Sequence, residues 1–198
     1  MTGSDPRANL EQYLQRGRDA LLWKLDGLTE YDIRRPTTPT GTNLLGLVKH
    51  MAAVEAGYFG VTFGRPFGEP TPWTGDSAED NADMWATPAE SREQITGLYR
   101  RVWAHADRSI KELPLDAIGY VPWWTAGRNE VTLHQVLVHV VSEIQRHAGH
   151  ADIVRELIDG AAGMQPDNSN VAPGDQAWWE GYRATLERAA REAGGVSG

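Results

Sequence analysis

The chain of 198 residues has no cysteine at all. That excludes disulfides, a cysteine nucleophile and any thiolate-ligated metal. Nor does it hold an apolar run approaching the ~20 residues needed to span a bilayer. Its opening residues, Met1 to Arg7, are polar and do not resemble a signal peptide. Lysine occurs only at positions 24, 49 and 111, the remaining basic residues being arginine, which is a mark of genome composition more than of function. Positive charge is also short, with a formal net charge of −8 that is not confined to a tail. A broad acidic surface repels phosphate backbones and argues against a non-specific nucleic-acid binder. Internal repeats and low-complexity tracts are missing too. The expectation is a cytoplasmic protein with neither nucleic acid nor membrane as partner, a monomer or homodimer.

What remains is ordinary globular composition, 40% hydrophobic and 23% charged, in a length that suits one domain over 1–198. Four segments read as long helices, and no alternating strand competes with them. The first, 6–26, opens at Asp5-Pro6, a cap followed by proline at the first helical position, and repeats Leu10, Leu14, Leu21 and Leu25 at helical spacing. The second, 43–60, carries Leu44, Leu47, Met51 and Val54. The third, 88–112, is predicted to start at the box Thr87-Pro88-Ala89-Glu90, and the fourth, 133–159, at the box Thr132-Leu133-His134-Gln135, with Gly160 as its stop. A last helical stretch, 175–192, holds Trp178, Trp179, Tyr182 and Leu186. Pro36 and Pro39 break the chain over 34–42, and the Gly/Pro/acid-rich segment 60–83 reads as a long connection. The pattern predicts an all-α helix bundle.

The fourth helix carries the chemistry. At about 100° per residue, with Glu143 at zero, Val136 and Val154 fall at about 20°, His147 at about 40°, His150 at about −20° and His139 at about −40°. His134 falls on the opposite, solvated side. A carboxylate among core-facing valines costs several kcal/mol unless paired or metal-bound. His50 on the second helix shares a stripe with Leu47, Val54 and Val61, so bundling can bring it to Glu143 and His147. That gives an N, N, O donor set suited to zinc, nickel, iron or manganese, with the open position of a catalytic site. The residues alone leave two alternatives: His50 as an ordinary core histidine, and Glu143 paired with Arg146 or Arg155.

The segment Leu44-Leu45-Gly46-Leu47-Val48-Lys49-His50 resembles the helix-two histidine motif of the DinB superfamily. Glu143-Ile144-Gln145-Arg146-His147-Ala148-Gly149-His150, running into Ala151-Asp152-Ile153-Val154-Arg155, resembles its helix-four motif. The likeness is strongest to an actinobacterial DinB-like branch of unknown function, which Asp159-Gly160, Asp167-Asn168-Ser169-Asn170 and Trp178-Trp179 also resemble. It implies an up-and-down four-helix bundle with an accessory C-terminal helix and one divalent metal, zinc first among the candidates, held by His50, Glu143 and His147. Most of the superfamily has histidine where Glu143 stands; the mycothiol-dependent maleylpyruvate isomerases are similar in using glutamate there. Where the more common ending is His-Arg-Gly-Gln, this chain has His147-Ala148-Gly149-His150, which leaves His150 and His139 as neighbours or alternative ligands.

The resemblance further implies a metal-dependent S-transferase or related isomerase that activates a small thiol of the mycothiol type toward an electrophilic acceptor. A protein without cysteine must borrow its sulfur. His150 is the candidate for proton transfer. A metal-dependent hydrolase and a non-catalytic, stress-related metal-binding protein are the alternative readings. The open position is expected to face a pocket bordered by the 60–83 connection and the 167–174 loop, with Trp73, Trp85, Trp123 and Trp124 as candidate walls.

Overall fold

The computed structural model describes residues 5–75 and 77–196; part of the polar opening read above, residues 1–4, lies outside them. Helix α1 spans Pro6–Trp23, with the Asp5 carboxylate accepting from the Arg7 N–H. A five-residue helix, α2 (Glu30–Arg34), follows behind a Thr29 cap and was not expected. Helix α3 is Leu44–Phe59, capped where Asn43 accepts from Gly46 N–H at 2.8 Å. After a long crossover come α4 (Arg92–Glu112), α5 (Leu133–Asp159) and α6 (Gln176–Gly194). Between α4 and α5 lies a second unexpected feature, a small antiparallel hairpin of β1 (Ile118–Tyr120) and β2 (Glu130–Thr132) with Gly119 opposite Val131.

The box at Thr132 forms as expected, its Gln135 side chain returning to the Thr132 N–H, and α5 stops at Gly160 with φ of 79°. The box at Thr87 does not start α4. Glu90 reaches back to the Thr87 N–H at 2.7 Å, but the segment closes as a turn. Its carbonyls are already taken, since Arg34 donates to the oxygens of Ala86, Thr87 and Glu90. The helix begins one turn later at Ser91, which forms the full box with Gln94.

The architecture is the all-α bundle that the resemblance implied, and the contacts fix the helix directions. Tyr58 meets His139 while His50 meets His147, so α3 and α5 are antiparallel. Gly17 lies against Ile144 while Lys24 pairs with Asp152, so α1 and α5 run parallel. Glu55 meets Tyr99 and Gly60 lies beside His105, so α4 runs parallel to α3. The order is up, down, down, up, so the bundle is all-α as expected but its helices do not alternate up and down as the resemblance implied. A helix can follow its predecessor in the same direction only if the chain travels back along the bundle, and residues 60–91 make that return.

Leu21, Leu47, Met51, Phe59, Val102, Val140 and Ile144 are central to the buried core. Charged side chains are buried with them: Arg18 makes a 2.6 Å ion pair with Glu55 and a 2.7 Å pair with Asp107, and Tyr99 donates to Glu55 at 2.9 Å. Lys24 is fully buried against Asp152 and the Trp23 ring. On α6, by contrast, no residue is buried; Trp178 and Tyr182 stack at 5.3 Å on its open face. No helix among the described residues is long and apolar enough to cross a membrane.

Candidate functional site

The buried face of α5 is Leu133, Leu137, Val140, Ile144, Ala148 and Ala151, so the Glu143 stripe lies along the edge of that face rather than at its centre. Val136 and Val154 are buried as expected, but the Glu143 carboxylate is 32% exposed and His150 is exposed. Glu143 therefore avoids most of the desolvation cost that a core position would impose. His134 is solvated, as expected.

The structure brings four of the five expected residues together. The rings of His50 and His147 lie 4.7 Å apart at 68°, one from α3 and one from α5. Glu143 Oε2 stands 3.6 Å from His147 Nε2, and the His150 ring is 5.5 Å from the His147 ring. His139 stands two turns away from His147, packed on Tyr58 at 4.7 Å and Trp124 at 5.2 Å. Arg155, a possible partner for Glu143, instead binds Asp159 and the carbonyls of Lys24 and Asp26.

Burial, with help from the neighbouring His50, pushes the His147 imidazole down to about 4, against the opposing pull of Glu143. It is thus neutral at physiological pH, the form in which imidazole binds metals. Its Nδ1 is buried without a hydrogen-bond partner. Among the described residues no three His, Asp or Glu side chains stand where together they would hold a metal ion. The donor chemistry nonetheless fits a divalent ion: two imidazoles, a carboxylate, and an orphaned ring nitrogen that nothing in the protein satisfies.

Sequence reasoning missed Asp83. Its Oδ2 lies 2.6 Å from His50 Nδ1, and that hydrogen bond holds the Asp83 carboxyl below the usual aspartate range against partial burial. It comes from a single 3-10 turn, Ala82–Met84, within the crossover, where no periodicity points to it. Tyr58 was also missed, although it stands two turns beyond His50 on the same face of α3.

One turn along α3 from His50 opens a cavity of about 670 Å³ lined by Val54, Gly57 and Tyr58, by Phe67 and Thr71 of the crossover, and by Trp123, with none of His50, Glu143 and His147 in its wall. Gly57 matters because a Cβ there would fall 2.9 Å from the Trp123 ring. Tyr58 Oη accepts from the indole N–H of Trp124 at 3.0 Å and of Trp123 at 3.4 Å. The four candidate tryptophans thus divide. Trp123 lines the cavity and Trp124 backs it through Tyr58, whereas Trp73 lies 4.3 Å under Lys49 and Trp85 is about half exposed. The 60–83 connection borders the cavity as expected. The 167–174 loop does not: the turn it belongs to is anchored on α1, where Trp23 donates to the Met164 carbonyl and Lys24 to that of Gly163.

A helix bundle in which imidazoles of α3 and α5 meet, with a carboxylate of α5 alongside, is DinB-like in class. The family model described as mycothiol S-transferase matches residues 9–160, and the chain belongs to that family. The match stops at the end of α5, leaving α6 outside it. A crystal structure of a conserved protein from Enterococcus faecalis is similar in fold, with a TM-score of 0.53 at 15% identity over 78% of this chain and 95% of that one. No curated protein matches the chain.

Proposed function

We propose that this protein is a metal-dependent thiol S-transferase, joining a small thiol of the mycothiol type through its sulfur to an electrophilic acceptor. The observation that carries the reading is the meeting of His50 and His147, with Glu143 alongside and an apolar cavity opening one turn further along α3. His50, Glu143 and His147 would hold one divalent ion, zinc first among the candidates. Such an ion lowers the pKa of a thiol so that thiolate is available near neutral pH.

The chain's own groups do the rest. His147 enters as a neutral donor because its burial disfavours the protonated form. Glu143 supplies one negative charge to compensate the ion and so is not free to act as base. His150, solvated and one turn from His147, takes the thiol proton. Phe67, Tyr58 and Trp123 hold the acceptor and keep water from competing for it. A carbon–sulfur bond forms as the acceptor's leaving group departs, or as its double bond takes up the proton. A related isomerase would use the same thiolate reversibly.

Metal analysis followed by a thiol-consumption assay tests the proposal, with mycothiol and halogenated or maleyl acceptors. Wild type should carry about one metal per chain and consume thiol, and His147→Ala should lose both while keeping its far-UV circular dichroism. Thiol consumption no faster than in the metal-free variant would sink the transferase reading. If metal were retained in that case, the non-catalytic metal-binding reading would replace it.

A further inference from the structure

The crossover that walls the cavity also delivers a carboxylate to the histidine cluster. Its 82–84 turn is fastened to the first half of α3 at three points. Asn43 donates its side-chain amide to the Met84 carbonyl at 3.1 Å, and Lys49 donates to the Trp85 carbonyl at 2.9 Å. The Met84 carbonyl oxygen also sits 1.8 Å from where a Cβ on residue 46 would fall, so the approach requires Gly46. From this turn Asp83 reaches His50 Nδ1 at 2.6 Å, with both side chains about three-quarters buried.

A neutral imidazole carries its proton on one nitrogen and its donor lone pair on the other, and the hydrogen bond at one fixes the role of both. A carboxylate at Nδ1 can only accept, so Nδ1 carries the hydrogen and Nε2 keeps the lone pair. His147 has no such partner: its Nδ1 is unbonded, and its Nε2 is 3.6 Å from Glu143. One imidazole of the pair is therefore oriented from outside the cluster and the other is not.

We propose that Asp83 is a positioning residue. It holds the Nδ1–H tautomer of His50, leaving Nε2 as the metal-donor atom, and so ties the wall of the acceptor cavity to the ligand set. The proposal rests on His50 being a ligand, and its test separates the two ideas. Nitrogen-15 NMR of the metal-free protein at alkaline pH reads the His50 tautomer directly. Wild type should show Nδ1–H, Asp83→Asn should keep it because the amide oxygen still accepts, and Asp83→Ala should shift toward Nε2–H. Zinc titration against a competing chelator should show affinity down about 10–100-fold in Asp83→Ala, with a smaller loss in Asp83→Asn from removal of the charge.

An unchanged Nδ1–H tautomer in Asp83→Ala overturns the positioning role, whatever zinc does. If that variant fails to fold, wild type decides, and an Nε2–H tautomer of His50 in the metal-free wild-type protein overturns the proposal. Failure of wild type to bind zinc, or binding that survives in His50→Ala, would instead overturn His50 as a ligand.

Discussion

Helix α3 carries two polar groups on opposite sides, and they are built on opposite plans. Toward α1 and α4 it presents Glu55, which accepts from Arg18 and from Tyr99 while Arg18 also engages Asp107. Burial pushes the Glu55 carboxyl up, and the Arg18 guanidinium offsets only part of that rise. Toward α5 it presents His50, which meets an imidazole with one buried nitrogen unbonded. The first group is closed, with each charge matched inside the protein. The second is short of partners. A buried polar network that is complete specifies a fold, whereas one left incomplete is where an exogenous ion or substrate finds affinity.

The largest effect should come from breaking the closed group. Glu55→Ala leaves Arg18 buried without its main counter-charge, and about 3–5 kcal/mol of stability should be lost in urea unfolding. A loss below about 1 kcal/mol would mean the network is not closed in solution.

The open group predicts a pH effect of somewhat smaller size. The folded His147 titrates at about 4, against an ordinary value of 6.5. Between those values the unfolded chain binds a proton that the folded protein refuses, so stability falls as pH drops from about 6.5 to about 4 and then flattens. The full shift corresponds to roughly 3 kcal/mol. The difference between unfolding curves of metal-free wild type and His147→Ala isolates this slope, and two parallel pH profiles would show that the burial argument fails. Smallest of the three is Trp123→Ala, which removes an open wall of the cavity. Acceptor KM should rise roughly tenfold, about 1.4 kcal/mol, with metal content unchanged. An equal fall in kcat with KM constant would place the acceptor elsewhere.

Much of this was legible in the residues. Helix α5 follows from Thr132, Gln135 and Gly160, because caps are local chemistry and do not depend on the rest of the fold. The meeting of His50 with His147 follows from two apolar stripes that must face each other in a bundle. Asp83 was illegible because its contact depends on how a long crossover is fastened, through Asn43, Gly46 and Lys49. Arg18, Lys24 and Glu55 were passed over for a different reason: such side chains are almost never buried unless paired, and pairing is a tertiary fact. The early start predicted for α4 failed because Arg34, in the unforeseen α2, claims the carbonyls of that turn.

The parallel contact of α1 with α5 has a consequence for how the chain is made. Gly17 packs on Ile144, so α1 leaves the ribosome more than a hundred residues ahead of the helix it packs against. At synthesis rates of about 5–20 residues per second, that delay is roughly 5–25 s. Throughout it, Leu14 and Leu21 lack their final covering, and Arg18 at first lacks its counter-charge until Glu55 emerges. Over that interval nascent α1 is open to chaperones, and to mispairing with neighbouring chains on the same message.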